Sequence, residues 1–250
     1  MAQRDFFIFD KESGEALSEN IEDYPAGLVI PLDKPYGWTS ADAVRKIKFL
    51  LQRHFHKKKI KVGHAGTLDP LATGILLICV GKATKMAERL QSEKKEYIAK
   101  VKFGATTPSY DLEKEIDRLY PYKHITKELL EEKLCSMVGV QMQVPPLFSA
   151  KFVDGVRAYE KARAGEKMEL EPSRITIYDI KATFFELPDA TLTILCSKGT
   201  YIRSVARDIG ESVGSGAHLT ALVRSKSGEF TLEKSLSMEK IEEILNFHAK

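Results

Sequence analysis

The sequence predicts an α+β fold, with a mixed, largely antiparallel central sheet flanked by helices and loops. Three observations carry this expectation. Apolar or alternating runs of strand length occur at Ile75 to Val80 and Tyr97 to Phe103, the patterns of a buried and of a half-buried strand. Other stretches repeat their apolar residues at helical spacing, as at Val44, Ile47, Leu50 and Leu51, the mark of one helix face turned to a core. No internal repeat or low-complexity linker divides the 250 residues, a length that buries an ample core as one domain.

The elements follow in order. Gly27 to Leu32 reads as a short strand ending in the turn Asp33-Lys34-Pro35-Tyr36-Gly37. Thr39 or Ser40 then caps a helix with a basic outer face, since a short hydroxyl side chain can accept from the first free N–H groups. The basic loop His54 to Lys59 leads to a glycine-rich turn, a strand from Gly74 to Val80 and a short helix from Ala83 to Leu90. After the strand Tyr97 to Phe103, the polar, acidic stretch Thr106 to Asp117 is expected as an exposed excursion. Thr126 caps a helix through Leu129, Leu130, Leu134 and Met137. Val144 to Ala150 is a non-helical connection, because its two prolines forbid a helix interior. Gly155 to Gly165 reads as a short amphipathic helix, and Ile175 to Glu186 with Thr191 to Cys196 as antiparallel strands joined around Pro188-Asp189. Ile202, Val205, Ala206, Ile209 and Val213 mark one helix stripe, and Ser237 opens a last helix through Ile241, Ile244 and Leu245.

Composition excludes several classes. The 43% hydrophobic and 29% charged fractions are those of a soluble globular protein. No apolar stretch approaches the roughly 20 residues that span a bilayer, and Phe6 to Phe9 is too short for a secretion signal. Cys79, Cys135 and Cys196 lack metal-ligand spacing, so reduced, half-buried thiols in a cytoplasmic protein are expected. The net charge of +3 says little, but its distribution says more. Arg45 to Lys61 holds eight Lys or Arg residues and no acid, whereas Asp5, Asp10, Glu12, Glu15, Glu19, Glu22 and Asp23 crowd the N-terminus. Such asymmetry suits a face that meets a polyanion, and a solvated helix face is the plainer reading of the run alone.

The most specific stretch is Gly63-His64-Ala65-Gly66-Thr67-Leu68-Asp69-Pro70-Leu71-Ala72-Thr73-Gly74. It fixes one carboxylate, Asp69, in a rigid turn ahead of a buried strand, where a reactive group finds scaffold support. As pattern alone, a turn with His and Asp is more often structural than catalytic. The whole string, however, closely resembles the signature of the TruB-type tRNA pseudouridine synthases, in which the aspartate is catalytic. Further blocks resemble the same family in the same order: Asp33 to Ser40, Lys95-Glu96-Tyr97, Val144-Pro145-Pro146 with Ser149-Ala150-Lys151, Ser197 to Arg203, and Ala217-His218-Leu219 with Leu222 and Arg224.

The resemblance implies the pseudouridine synthase fold, with an acidic extension over 1–26, a catalytic domain over 27–230 carrying an RNA-contacting excursion at about 106–174, and a short helix over 231–250. It implies a monomer acting on the T-loop uridine in the T-arm of tRNA. Turning uridine into pseudouridine breaks the bond from C1′ to N1, turns the base over and joins C1′ to C5. Nothing is oxidised and no group enters or leaves, so neither cofactor nor metal is expected. Asp69 is the implied catalytic residue, as nucleophile or as a base on the ribose. Arg203 is its implied partner, since an opposite charge stabilises a desolvated carboxylate and the planar guanidinium suits a carboxylate. A base inside a folded loop must be flipped out. Tyr97 would stack on the extruded uracil and help remove the C5 proton, Leu222 would form the opposite wall, and His64 would fill the gap in the RNA. Tyr201 falls in the matched arginine block and counts with the substrate contacts. Lys34, Lys85 and Lys151 lie within matched blocks and are expected to neutralise phosphates, as are Lys57, Lys58 and Lys59 in their loop, and Arg224, in the last matched block, counts with the substrate contacts.

Gly81-Lys82-Ala83-Thr84-Lys85 lacks the upstream glycine of a P-loop, Leu76 standing there, so ATP binding is rejected. His54-Phe55-His56 has no partner motif for a metal. Family members commonly carry a PUA or PUA-like RNA-binding domain, but only about two dozen residues follow Arg224. The expectation is therefore a greater reliance on Arg45 to Lys61 for tRNA affinity. Two other readings stay open: the same chemistry on another RNA, and an RNA-binding protein that retains the scaffold.

Overall fold

A computed structural model of the protein describes residues 6–13, 16–147, 152–153, 156–157 and 170–246. Its strands are β1 (Phe7–Ile8), β2 (Leu28–Lys34), β3 (Val62–Ala65), β4 (Ala72–Val80), β5 (Lys95–Phe103), β6 (Ala105–Thr106), β7 (Arg118–Leu119), β8 (Gly139–Gln143), β9 (Phe152–Val153), β10 (Val156–Arg157), β11 (Ser173–Glu186), β12 (Asp189–Cys196), β13 (Ala217–Ser227), β14 (Phe230–Thr231) and β15 (Leu236–Ser237). Its α-helices are α1 (Ser40–His54), α2 (Ala87–Ser92), α3 (Lys127–Ser136), α4 (Ile202–Ser212) and α5 (Met238–Asn246). The chain divides into two compact units, one of Met1–Lys95 with Val223–Lys250 and one of Glu96–Leu222. The division falls within β5 and β13.

In the first unit β2 and β4 pair antiparallel from Leu28↔Val80 to Lys34↔Gly74, and β3 lies antiparallel on the end of β4, from Val62↔Val80 to Ala65↔Leu77. Strands β1 and β15 join β2 in parallel, which makes this sheet mixed. Every residue of β4 from Gly74 to Val80 is buried, so an unbroken apolar run replaces the alternation of a half-wet strand. Helix α1 begins with a capping box in which Thr39 and Asp42 satisfy each other's backbone N–H groups. Its face of Ala43, Ile47, Leu50, Leu51 and His54 is buried. His54 is a core residue: its ring meets Phe55 edge-on at 4.9 Å and its Nε2 lies 3.1 Å from the Ser18 carbonyl. The acidic N-terminal segment is thereby packed onto this unit, with Phe9 and Leu17 buried.

In the second unit β5 alternates as expected, with Tyr97, Ala99, Val101 and Phe103 buried and Ile98, Lys100 and Lys102 exposed. Strands β11 and β12 form a tight antiparallel pair closed at Glu186↔Asp189, and β8 adds antiparallel to β11. The stripe Ile202, Val205, Ala206 and Ile209 buries one face of α4, and Thr126 caps α3 by accepting from Leu129 N at 3.2 Å.

Four expectations differ from the structure. Val156–Arg157 pair antiparallel with Phe152–Val153 where an amphipathic helix over 155–165 was expected, and the rest of that span lies outside the described residues. The stretch Thr106 to Asp117 is not simply exposed: Thr107, Ser109 and Asp111 are buried, with Thr107 and Ser109 hydroxyls both turned to the Asp111 carbonyl. The short helix expected from Ala83 is a 3₁₀ turn over Gly81–Met86 running into α2. Of the three thiols Cys79 and Cys196 are buried and Cys135 is exposed. Among the described residues no helix is long and apolar enough to cross a membrane.

Candidate active site

Asp69, His64, Lys34, Lys85 and Arg224 belong to the first unit, and Tyr97, Tyr201, Arg203 and Leu222 to the second. In the first, the Asp69 turn is held from three directions. From α1, the buried Ser40 hydroxyl accepts from Leu68 N at 2.9 Å and donates to Leu68 O at 3.1 Å, fixing the residue just before Asp69. From β13, Arg224 Nε donates to Ile75 O at 2.7 Å, Nη2 to Gly66 O at 3.1 Å and Nη1 to Thr67 O at 3.4 Å. From β2, Lys34 Nζ donates to Pro35 O at 2.9 Å, Trp38 O at 2.6 Å and Pro70 O at 3.4 Å. At the far end of the turn Gly74 has φ +94° and lies so close to β13 that a Cβ there would come 2.3 Å from the Arg224 carbonyl oxygen. Only glycine fits both demands.

These contacts correct two expectations. Lys34 is 0% exposed and Arg224 1%, and both spend their donors on backbone carbonyls. Neither is free to contact the substrate; each braces the Asp69 turn. Burial pushes the Lys34 ammonium down to about 8, opposed by the negative charge of Asp69, so the two groups feel each other through the turn. Burial, followed by the Arg224 charge, lowers the His64 imidazole below its usual value. Lys85 is exposed on the 3₁₀ turn Gly81–Met86 and available to an anion. Lys151 lies outside the described residues, as do Ser149 and Ala150.

In the second unit Tyr201 caps α4, its N–H donating to Gln143 Oε1 at 2.8 Å and its carbonyl accepting from Gln143 Nε2 at 3.1 Å. Two residues on, Arg203 is buried, with Nε 3.7 Å from Asp111 Oδ2 and Nη1 donating to Ser109 O at 3.4 Å. Ser204 Oγ donates to Val144 O at 2.8 Å, tying the Val144-Pro145-Pro146 segment to the start of α4. Tyr97 is buried on β5 and Leu222 half-buried on β13. Sequence reasoning missed Asp111, Gln143 and Ser40 as supports. Only Ser40 carried a signal, its place at a helix start; the other two partners lie dozens of residues away in the chain.

On the basic face, Lys46 pairs with Glu242 at 2.6 Å and Lys57 with Glu22 at 3.8 Å, while Arg45 pairs with Asp42. Lys48, Arg53, Lys58, Lys59 and Lys61 are exposed and have no carboxylate partner among the described residues.

Residues 52–202 match the family model of the TruB family pseudouridylate synthase N-terminal domain, and residues 203–250 match that of the tRNA pseudouridylate synthase B C-terminal domain. This chain belongs to the TruB family. It is 52% identical over 223 residues to the tRNA pseudouridine synthase B of Parabacteroides distasonis, covering 89% of this chain and 95% of that one. The protein of the same name from Clostridium kluyveri is 43% identical, over 84% of this chain and 71% of the other. Among solved structures, the TruB-family chain superposes with TM-score 0.65 at 28% identity on a chain of a Cbf5–Nop10–Gar1 complex, covering 85% of this chain and 52% of that one. A chain of an H/ACA ribonucleoprotein bound to a substrate RNA containing 2′-deoxyuridine gives TM-score 0.61 at 27% identity, covering 85% and 51%. The TruB-family chain thus spans about half the length of these solved chains.

Proposed function

We propose that this chain isomerises the T-loop uridine of tRNA to pseudouridine. The observation that carries the reading is the Asp69 turn: a single carboxylate carried on a backbone braced by Ser40, Lys34 and Arg224 in a chain of the TruB family. Relatives about half identical to it are named tRNA pseudouridine synthase B, which supports tRNA as the substrate. A module that only bound RNA would have no need of Asp69, Tyr97 and Arg203 together.

The chemistry needs a positioned group acting at the ribose or base, and a pre-set geometry removes much of the entropic part of the barrier. Asp69 is that group, adding to the sugar or removing a ribose proton so that the bond from C1′ to N1 breaks. The freed uracil turns over, C5 joins C1′, and the C5 proton leaves. Tyr97 offers its ring to the uracil and its hydroxyl to that last proton transfer. Leu222 provides an apolar wall, Tyr201 a substrate contact, Arg203 the cation, and His64 takes the place in the RNA stack that the flipped base leaves. Lys85, Lys151 and the exposed Lys48, Arg53, Lys58, Lys59 and Lys61 meet the phosphates. The catalytic region is 27–230, acting as a monomer in the cytoplasm without a cofactor.

Site choice is tested by incubating the protein with a T-arm stem-loop and, separately, with stem-loops from other parts of the same tRNA. Pseudouridine confined to the T-arm is the expected result. Equal modification of unrelated stem-loops would contradict the T-loop assignment.

A further inference from the structure

We propose that Tyr36 is a stacking platform for a base of the RNA loop that carries the target uridine, an assignment that rests on the reading above. Tyr36 is 63% exposed, the largest value of any aromatic side chain described as exposed, and it has no hydrogen bond or ring contact with any described residue. Its place is what gives this meaning. It sits at the tip of the turn between β2 and α1, and that turn is stapled to the catalytic turn: Gly37 N donates to Pro70 O at 2.9 Å, so Tyr36 and Asp69 each stand one residue from the same hydrogen bond.

The tip is also rigid. Lys34 Nζ holds the carbonyls on either side of it, Pro35 O at 2.9 Å and Trp38 O at 2.6 Å. Pro35 restricts its own φ, Gly37 supplies the left-handed φ of +81°, and the capping box of α1 starts two residues later at Thr39. A large ring on so constrained a backbone loses little entropy when it is covered. Flipping the uridine out disturbs the stacking of the whole loop, and an exposed aromatic ring on a turn bonded to the Asp69 turn is suited to cover a loop base other than those His64 packs between. Stacking tolerates any base, so the ring adds affinity without reading sequence.

The test compares Tyr36→Phe, Tyr36→Trp, Tyr36→Gln and Tyr36→Ala with the wild type in steady-state turnover of a T-arm stem-loop. Loss of one stacked base is expected to raise KM about five- to 150-fold for Gln and Ala, the equivalent of roughly 1–3 kcal/mol, with kcat within about twofold. Phe and Trp keep the stacking face and are expected near wild-type KM. A 2-aminopurine placed in the loop away from the uridine's immediate neighbours should be quenched on binding to the wild type and the Phe variant but not the Ala variant. Unchanged KM in the Ala variant would return Tyr36 to ordinary surface, and a fall in kcat at constant KM would make it a structural part of the turn. A Phe variant as poor as Ala would replace stacking by a hydroxyl contact. Those three results overturn the stacking assignment alone, in an enzyme still active. A wild type inactive on every tRNA would overturn the enzymatic reading and this assignment with it.

Discussion

Ser40→Ala is the sharpest probe of how the Asp69 turn is held. The hydroxyl is buried and makes two short-range bonds to one residue, accepting from Leu68 N at 2.9 Å and donating to Leu68 O at 3.1 Å. Alanine at this helix position costs no propensity and leaves a space of one oxygen, so almost all of the effect comes from Leu68. Its N–H loses its partner at a buried site, worth about 1–3 kcal/mol, and its carbonyl loses a further bond of about 1 kcal/mol. The expected destabilisation is therefore about 2–4 kcal/mol, a large part of a typical total of about 5–15 kcal/mol. Trp38 is the single tryptophan of the chain and stands two residues away in the same unit, so its emission in a urea titration reports the loss directly. The same variant should turn over at least about tenfold more slowly, because displacing a reacting group by about 1 Å can cost about a hundredfold. Ser40→Thr keeps the hydroxyl and should recover most of the rate. A Ser40→Ala protein within about 0.5 kcal/mol of wild type and fully active would refute the claim that α1 positions the catalytic turn.

Arg203→Lys keeps a positive charge but cannot keep both the Asp111 and Ser109 contacts, so turnover should fall by about ten- to a hundredfold, the worth of one charge-assisted hydrogen bond; near-normal kcat/KM would free Arg203 from its role. Lys34→Met should remove a pH dependence of stability. The native ammonium titrates at about 8 against an ordinary 10.5, so the unfolded chain holds more protons between those values and wild-type stability should rise with pH across that window. The rise is up to about 3 kcal/mol, read from denaturation midpoints, and a Met variant with the same slope would contradict it. Replacing Lys57, Lys58 and Lys59 together by alanine should weaken tRNA binding and flatten its salt dependence by up to about 0.9 log unit per lost phosphate contact. An unchanged slope would make that loop plain solvated surface.

Much of the fold was legible because local signals and packing agreed. The helix start at Thr39 or Ser40, the alternation of β5 and the α4 stripe were all written in neighbouring residues. Strand β13 was harder: Ala217 to Ser227 shows no clean alternation, and its burial runs from buried to half-buried and back, so period-2 logic had no purchase. The Thr106 to Asp117 stretch misled because polarity was equated with exposure, whereas its hydroxyls turn inward to the Asp111 carbonyl. At the site, Asp69 stood out through its glycine-framed string. Lys34 and Arg224 were recognised but misassigned, since sequence shows a cation and not which way it points. Their targets are main-chain carbonyls, which every residue carries and no motif reveals.

The most direct test of the central claim uses an unmodified tRNA transcript tritiated at uracil C5, incubated without cofactors with wild-type protein and with Asp69→Asn. Forming the bond from C1′ to C5 expels the tritium, so the wild type should release it from the T-loop uridine. The Asp69→Asn variant should release none while binding the tRNA within a few-fold of wild type. Tritium released by the variant at the wild-type rate would take Asp69 out of the reaction, and tight binding by a wild type that releases none would leave an RNA-binding protein in place of the enzyme.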